Sequence, residues 1–67
     1  MKVKYDPRTD SLSIILLDRT VFESDEEKPG MILDYDQEGN LVALEILDAS
    51  KKGSEPGNIK FQVLATV

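Results

Sequence analysis

One segment of this 67-residue chain, residues 31–47, constrains the fold more than any other, because it fits two incompatible structures. Its sequence is MILDYDQEGNLVALEIL. In the first interpretation, Asp36 opens a tight turn and Gly39 supplies the left-handed residue that closes it. The apolar residues on either side then alternate with polar ones on two paired strands, which predicts a β-hairpin.

The second interpretation of the same segment is a calcium loop of the EF-hand type. Asp34, Asp36 and Glu38 occupy the first, third and fifth positions of such a loop, and Glu45 occupies the twelfth. An EF-hand loop is entered from a helix, whereas this one follows a proline-glycine turn and a β-like Met-Ile-Leu. In a hairpin, Glu45 lies opposite residues 30–32, about 7 to 13 Å along the ribbon from Asp34 and too far to share an ion. The sequence therefore favours the hairpin, with the calcium site as the alternative.

Six short segments of the chain alternate apolar and polar residues with a period of two, the pattern of half-buried strands. Val21 and Phe22 form the shortest segment, and residues 59–67 form the cleanest. The pattern lapses after the fifth segment, where residues 48–52 are suited to one or two helical turns. The prediction is a mainly β fold, a small antiparallel β-meander of five to six strands with one short helix or helical turn near residues 48–52.

The length predicts a single small domain over residues 1–67, with a β core over 1–52, a linker over 53–58 and a C-terminal strand over 59–67. Such a chain buries only about 60% of the surface that its unfolded form exposes, so its stability margin is thin. The last strand can complete the chain's own sheet or add to a neighbour's, so we expect self-association through a sheet edge.

The residue types that are absent narrow the chemistry. The sequence contains no cysteine and no histidine, which excludes a disulfide framework and the usual zinc, copper and iron ligand sets. We therefore expect no cofactor. The longest apolar run, Ile14 to Leu17, is far too short to span a bilayer, and the first residues lack the core of a signal peptide. No membrane association is expected, and the cytoplasm is the expected location.

The net charge of −5 is concentrated in the middle of the chain. An acidic centre repels phosphate backbones, so nucleic acid is not an expected partner, and an electrostatically steered partner should be basic. Candidate interaction residues are the central acidic cluster and two apolar residues of the last segment: Glu23, Asp25, Glu26, Glu27, Phe61 and Val63.

Other candidate chemistry is limited to carboxylates. Asp34 and Asp36 lie on one side of a strand about 6.6 Å apart, a separation that carboxylate pairs of glycosidases also use. Such a pair needs a pocket that raises one pKa, and a sheet of this size offers little depth. Solvated or turn-capping aspartates are the favoured interpretation, and an enzyme using Asp34, Asp36 or Glu45 is the distant alternative.

Two blocks of the sequence carry a recognisable pattern. The first is Val3-x-Tyr5-Asp6-x-x-x-Asp10-x-Leu12-x-Ile14-x-Leu16. The second is Pro29-Gly30-x-Ile32-Leu33-Asp34-Tyr35-Asp36-x-x-Gly39-Asn40-Leu41-Val42-x-x-Glu45-Ile46-Leu47-Asp48-Ala49-Ser50-Lys51. Together they resemble the small prokaryotic family called domain of unknown function 2283, over residues 1–52. The resemblance implies a compact, mostly β fold without an established activity.

Members of that family are often encoded beside small toxin-like proteins, so the resemblance also implies an antitoxin-like role. The sequence-based hypothesis is a non-enzymatic protein-interaction module. Its alternatives are an antitoxin-like partner that neutralises a small basic toxin and, more distantly, a Ca²⁺-binding protein or a carboxylate-based enzyme.

Overall fold

The computed structural model describes residues 1–52 and 55–65. Within this part of the chain, five antiparallel strands form one open sheet, and a single 3₁₀ helix follows them. The mainly β prediction is confirmed, including the short helical turn near residues 48–52. The elements are β1 Lys2–Asp6, β2 Ser11–Ile15, β3 Glu23–Lys28, β4 Met31–Tyr35, β5 Leu41–Ile46 and the 3₁₀ helix Ala49–Lys52.

The strand order across the sheet is β1-β2-β5-β4-β3. Tight turns join β1 to β2, β3 to β4 and β4 to β5, so these strands pair with their neighbours in sequence. The connection of residues 16–22 is longer, and it carries the chain from β2 to the far edge of the sheet. The last strand, β5, therefore lies at the centre, between β2 and β4.

The turns use the residues that their geometry requires. Gly30 has a φ of 80° and closes the proline-glycine turn between β3 and β4, in a left-handed conformation that glycine adopts without steric cost. In the turn between β1 and β2, the Asp6 side chain accepts a hydrogen bond from the Arg8 backbone N–H at 2.9 Å. Asp10, with a φ of 53°, ends that turn in the left-handed region that aspartate tolerates better than most residues.

The third strand differs from its prediction. It is formed by the acidic segment Glu23–Lys28, whereas Val21 and Phe22 precede it and are exposed. The Phe22 backbone N–H still donates a hydrogen bond to the Tyr35 carbonyl oxygen at 2.8 Å. The backbone pairing between β3 and β4 therefore extends one residue beyond the strand itself. Backbone pairing with β4 across a two-residue turn overrides the low strand propensity of aspartate and glutamate.

The C-terminal segment also differs from its prediction. The structure assigns no strand to residues 59–65, and these residues are exposed. The predicted sixth strand of the chain's own sheet is therefore not formed by them, and its last two residues, 66 and 67, lie outside the described part. The predicted linker over 53–58 includes residues 53 and 54, which also lie outside it, and a buried Pro56. Pairing with a neighbouring sheet stays a prediction.

Alternation along the strands gives the sheet two faces. One face, which we call the apolar face, carries Val3, Tyr5, Leu12, Ile14, Met31, Leu33, Tyr35, Leu44 and Ile46. The other, the polar face, carries Lys4, Ser13, Ser24, Asp34 and Glu45 among a few apolar residues. None of the described helices is long and apolar enough to cross a membrane.

Candidate functional site

The turn between β4 and β5 is organised by one buried aspartate. Asp36 is 6% exposed, and its Oδ1 accepts hydrogen bonds from the backbone N–H groups of Glu38 and Asn40 at 2.9 and 2.8 Å. The Gly39 N–H donates to the Asp36 carbonyl at 3.1 Å, and Gly39 has a φ of 85°. The hairpin interpretation is confirmed, and so is the turn-capping role of Asp36.

The Asp36 carboxylate also forms an ion pair with Arg19. Arg19, from the connection between β2 and β3, places its guanidinium Nη1 3.2 Å from Asp36 Oδ2 and 3.7 Å from Glu38 Oε2. Burial by itself raises the pKa of Asp36, but the hydrogen bonds from Asn40 and Glu38, together with Arg19, outweigh it and lower that pKa. Asp36 is therefore an ionised structural group at neutral pH, which agrees with the turn-capping half of the expectation for these aspartates.

The second aspartate of the motif, Asp34, lies on the polar face of the sheet. It is 6% exposed, and its Oδ1 accepts a hydrogen bond from the Ser24 hydroxyl at 2.6 Å. Asp34 pairs with Ala43 and Glu45 pairs with Ile32, so the two carboxyl groups are diagonal neighbours on adjacent strands. Asp34 is close enough to Glu45 to raise the pKa of the Glu45 carboxyl group through a side-chain hydrogen bond.

This contact corrects two expectations. The register agrees with the prediction that Glu45 lies opposite residues 30–32, but the side chains close the gap to Asp34 that the backbone spacing leaves. Asp34 is buried and bonds to a neighbouring strand, so the expectation of a solvated or turn-capping aspartate is wrong for this residue. The hydrogen bond to Asp34, then burial, raises the pKa of Glu45, because both make its protonated form more favourable.

The acidic residues of the calcium-loop pattern do not converge on one point. The Asp36 carboxylate accepts hydrogen bonds from the backbone of the turn that it belongs to. Asp34 lies on the polar face, where it bonds to Ser24 and contacts Glu45, and the side chain of Glu38 is exposed. Strands rather than helices flank the turn. Among the residues that the structure describes, no group of three or more acidic side chains is placed to hold a metal ion.

A shallow cavity of about 300 Å³ opens beside the carboxyl pair. Its lining includes Lys4 and Ser13 from the first two strands, Arg19 from the connection, and Asp34 and Glu45 themselves. The cavity arises because residues 16–22 cross one end of the polar face. With Asp18, which also lines it, the cavity brings three carboxyl groups and two cationic side chains to one place on this face.

The predicted interaction residues lie at two separate places. Glu23, Asp25, Glu26 and Glu27 belong to β3, the outermost strand, and every residue of that strand is exposed. Phe61 and Val63 lie in the C-terminal segment and are 77% and 75% exposed. The structure does not bring these two groups together in one element.

Sequence reasoning missed a polar cluster at the other end of the sheet. Asp10 accepts hydrogen bonds from the Tyr5 hydroxyl at 2.7 Å, from the Ser50 backbone N–H at 3.0 Å and from the Ser50 hydroxyl at 2.7 Å. The Ser50 hydroxyl and then the Tyr5 hydroxyl lower the pKa of Asp10. The cluster links the turn between β1 and β2 to the start of the 3₁₀ helix. Sequence reasoning could not find it, because Asp10 and Ser50 are 40 positions apart and no sequence motif relates residues at that separation.

The apolar face lacks a covering layer within the described residues. Its members are half-buried or, for Val3, 41% exposed. The described apolar residues that are buried are instead Val42, Ala43, Ala49 and Pro56. No described side chain is both large and fully buried. A sheet normally covers its apolar side with a second layer.

The chain belongs to the family DUF2283, described as protein of unknown function, whose model matches residues 2–50. A search of curated proteins and a search of solved structures found no match to the chain. The matched range contains the five described strands and both polar clusters, and it ends within the 3₁₀ helix.

Proposed function

We propose that this protein is a non-enzymatic protein-interaction module that binds its partner through the apolar face of its sheet. The observation that carries the proposal is the uncovered state of that face. Burying apolar surface contributes about 25 cal/mol per Å² removed from water, so a partner that covers this face gains more than one that binds the charged rim. The cytoplasm remains the location we propose, since a chain without cysteine fits a reducing compartment.

The edges of the sheet are less suited to binding than the face. Self-association through an edge was the expectation, and β1 and β3 are the two edges. The β3 edge carries four carboxylates against one lysine, and charged edge strands resist strand addition because identical edges repel. This charge moves our proposal from the edge to the face.

A capture experiment with matched variants tests this proposal. The chain is immobilised as Leu44→Lys, which places a charge in the middle of the apolar face, and as Ser13→Lys, which places the same charge on the polar face. We expect Ser13→Lys to retain the partners of the wild type and Leu44→Lys to lose them, with both variants folded by circular dichroism. Equal retention by the two variants would refute the role of the apolar face.

A second candidate function rests on β3. Its six residues are all exposed, and Glu23, Asp25, Glu26 and Glu27 present carboxylates along a free edge, as an antitoxin-like protein that neutralises a small basic toxin requires. Reversing Glu26 and Glu27 to lysine discriminates between the candidates. A basic partner dissociates on this change, whereas a partner of the apolar face stays bound.

The carboxylate-enzyme alternative depends on the Asp34–Glu45 pair. The cavity beside the pair gives it the proximity that such chemistry needs. However, the two carboxyl groups interact with each other, and the Ser24 hydroxyl also donates a hydrogen bond to Asp34. This internal satisfaction supports a structural role for the pair, so we keep the interaction module as the proposed function.

A further inference from the structure

We infer that the C-terminal segment of one chain, residues 59–65, adds as an antiparallel strand to the free edge of β1 in a second copy. This inference goes beyond the proposed function, because it concerns an edge of the sheet and not its apolar face. Three observations select it: the exposure of the segment, the side chains that β1 presents at its edge, and a register in which the two sequences match.

The C-terminal segment has the alternation of a strand but pairs with no strand in the described part of its own chain. Pro56 is buried, and every described residue after it is exposed. Ile59, Phe61 and Val63 are 53%, 77% and 75% exposed, and polar residues separate them. A strand of this pattern covers its apolar side only as part of a sheet, so the segment is suited to bind a sheet edge.

Of the two edges of the described sheet, only β1 offers apolar side chains to such a strand. The other edge, β3, has the sequence ESDEEK, so each register would place the apolar residues of the segment beside polar or charged ones. On β1, Val3 and Tyr5 lie on the apolar face, and Val3 is 41% exposed. The charged residues of β1, Lys2, Lys4 and Asp6, lie on the polar face. A strand added to β1 can therefore extend both faces of the sheet.

One antiparallel register matches the segment to β1 on both faces. On the apolar face it places Phe61 opposite Tyr5 and Val63 opposite Val3, and on the polar face Lys60 opposite Asp6, Gln62 opposite Lys4 and Leu64 opposite Lys2. Aromatic pairs and pairs of opposite charge stabilise adjacent strands when they lie directly opposite one another. The register supplies one pair of each kind.

The charges favour this antiparallel arrangement over a parallel one. A parallel strand that keeps Phe61 beside Tyr5 brings Lys60 beside Lys4, and like charges at that distance are unfavourable. The antiparallel strand instead brings Lys60 beside Asp6. The segment therefore runs from the end of β1 at its turn towards the start of β1.

The association is expected to be a weak dimer. Each copy has one C-terminal segment and one β1 edge, so a reciprocal exchange between two copies uses both of each. The five residues of β1 give only a short paired strand, and small interfaces are typical of transient complexes. We expect a dissociation constant on the order of micromolar.

Light scattering over a dilution series of the full chain tests the association. The wild type should be a dimer at the highest concentrations, and the double variant Phe61→Lys, Val63→Lys should raise its dissociation constant at least about 10-fold, because both charges fall opposite apolar side chains. The matched control is Val21→Lys, Phe22→Lys, which makes the same two changes at exposed residues outside the strands and should not alter the mass. A monomeric wild type, or equal masses for the two double variants, would overturn the inference.

Cysteine cross-linking tests the register, because the native chain contains no cysteine. Under mild oxidation, Val3→Cys and Val63→Cys chains should form a covalent dimer more efficiently when mixed than either chain alone, since opposite residues of paired strands are close enough for a disulfide. A mixture of Val3→Cys and Gln62→Cys is the control, because the register places Gln62 on the polar face. Equal yields from the two mixtures would refute the register.

A chain that carries both Val3→Cys and Val63→Cys distinguishes a second copy from the chain's own edge. Exchange between copies predicts disulfides between chains, so the oxidised variant should migrate as a dimer in denaturing gels. A disulfide closed within one chain would overturn the second copy as the occupant. The capture experiment with Leu44→Lys and Ser13→Lys uses none of these variants, so the proposed function and the present inference fail separately.

Discussion

The two faces of the sheet are built from the same strands but satisfy their side chains in opposite ways. On the polar face, Ser24, Asp34 and Glu45 bond to one another across three neighbouring strands. On the apolar face, Leu33 of β4 and Leu44 of β5 are half-buried, and no second sheet or long helix of the described residues packs over them. A face whose polar groups are already paired gains little from a partner, whereas an apolar face gains in proportion to the area covered. This difference is the reason why we propose the apolar face, rather than the polar face, as the surface that binds a partner.

The largest effect that tests this comparison comes from two neighbouring residues of β4. Leu33→Ala, on the apolar face, should lower the free energy of unfolding by about 2 to 3 kcal/mol, because Leu33 is half-buried and is paired with the apolar Leu44 on β5. Ile32→Ala, on the polar face, should lower it by about 1 kcal/mol, because Ile32 is paired with the charged Glu26 and Glu45. Urea denaturation of the wild type and the two variants measures both values.

The order of the two effects is the control for that prediction. If Ile32→Ala costs as much as Leu33→Ala or more, the two faces do not differ in the manner described.

A smaller effect is expected at Glu45 on the polar face. Because its pKa is raised in the folded state above the ordinary 4.5, the stabilisation from the protonated pair is present below pH 4.5 and is lost as the pH rises through the folded-state pKa. Glu45→Gln keeps a donor for Asp34 and removes the repulsion. It should therefore stabilise the fold at pH 7 by up to about 1 kcal/mol, and by less at pH 4.

Thermal unfolding at the two pH values measures the effect of Glu45→Gln. The matched control is Glu26→Gln, on the same face but exposed on β3, which should change the stability little at either pH. A Glu45→Gln variant that is destabilised at pH 7 would contradict the pairing.

The smallest effect is expected at Asp10, which joins the end of the apolar face to the 3₁₀ helix through Tyr5 and Ser50. Its pKa is lowered in the folded state, so its contribution to stability is present above the ordinary value of 3.8 and is lost as the pH falls through the folded-state pKa. Asp10→Asn should be less stable than the wild type at pH 7, and the difference should narrow on acidification. An acid titration of both chains, followed by circular dichroism, checks this.

Local sequence patterns predicted most of the fold, because alternation along a strand and the residue types of a turn each involve only a few consecutive residues. The period-two alternation located four of the five strands, and Gly30 and Gly39 marked turns that require a left-handed residue. The same signals misplaced β3, since an acidic segment becomes a strand only through its pairing with β4. They also predicted a strand over residues 59–67, and within its described part, residues 59–65, the alternation is present but the structure assigns no strand.

The sequence by itself determined the strands, the turn of Asp36 and the acidity of the centre, all of which depend on neighbours in the chain. Only the tertiary structure decided that β5 lies at the centre, that Glu45 reaches Asp34, and that Asp10 holds Ser50. These contacts depend on the register and order of strands that are distant in sequence. Hydrogen bonds between side chains on adjacent strands follow from that register, and no local pattern encodes it.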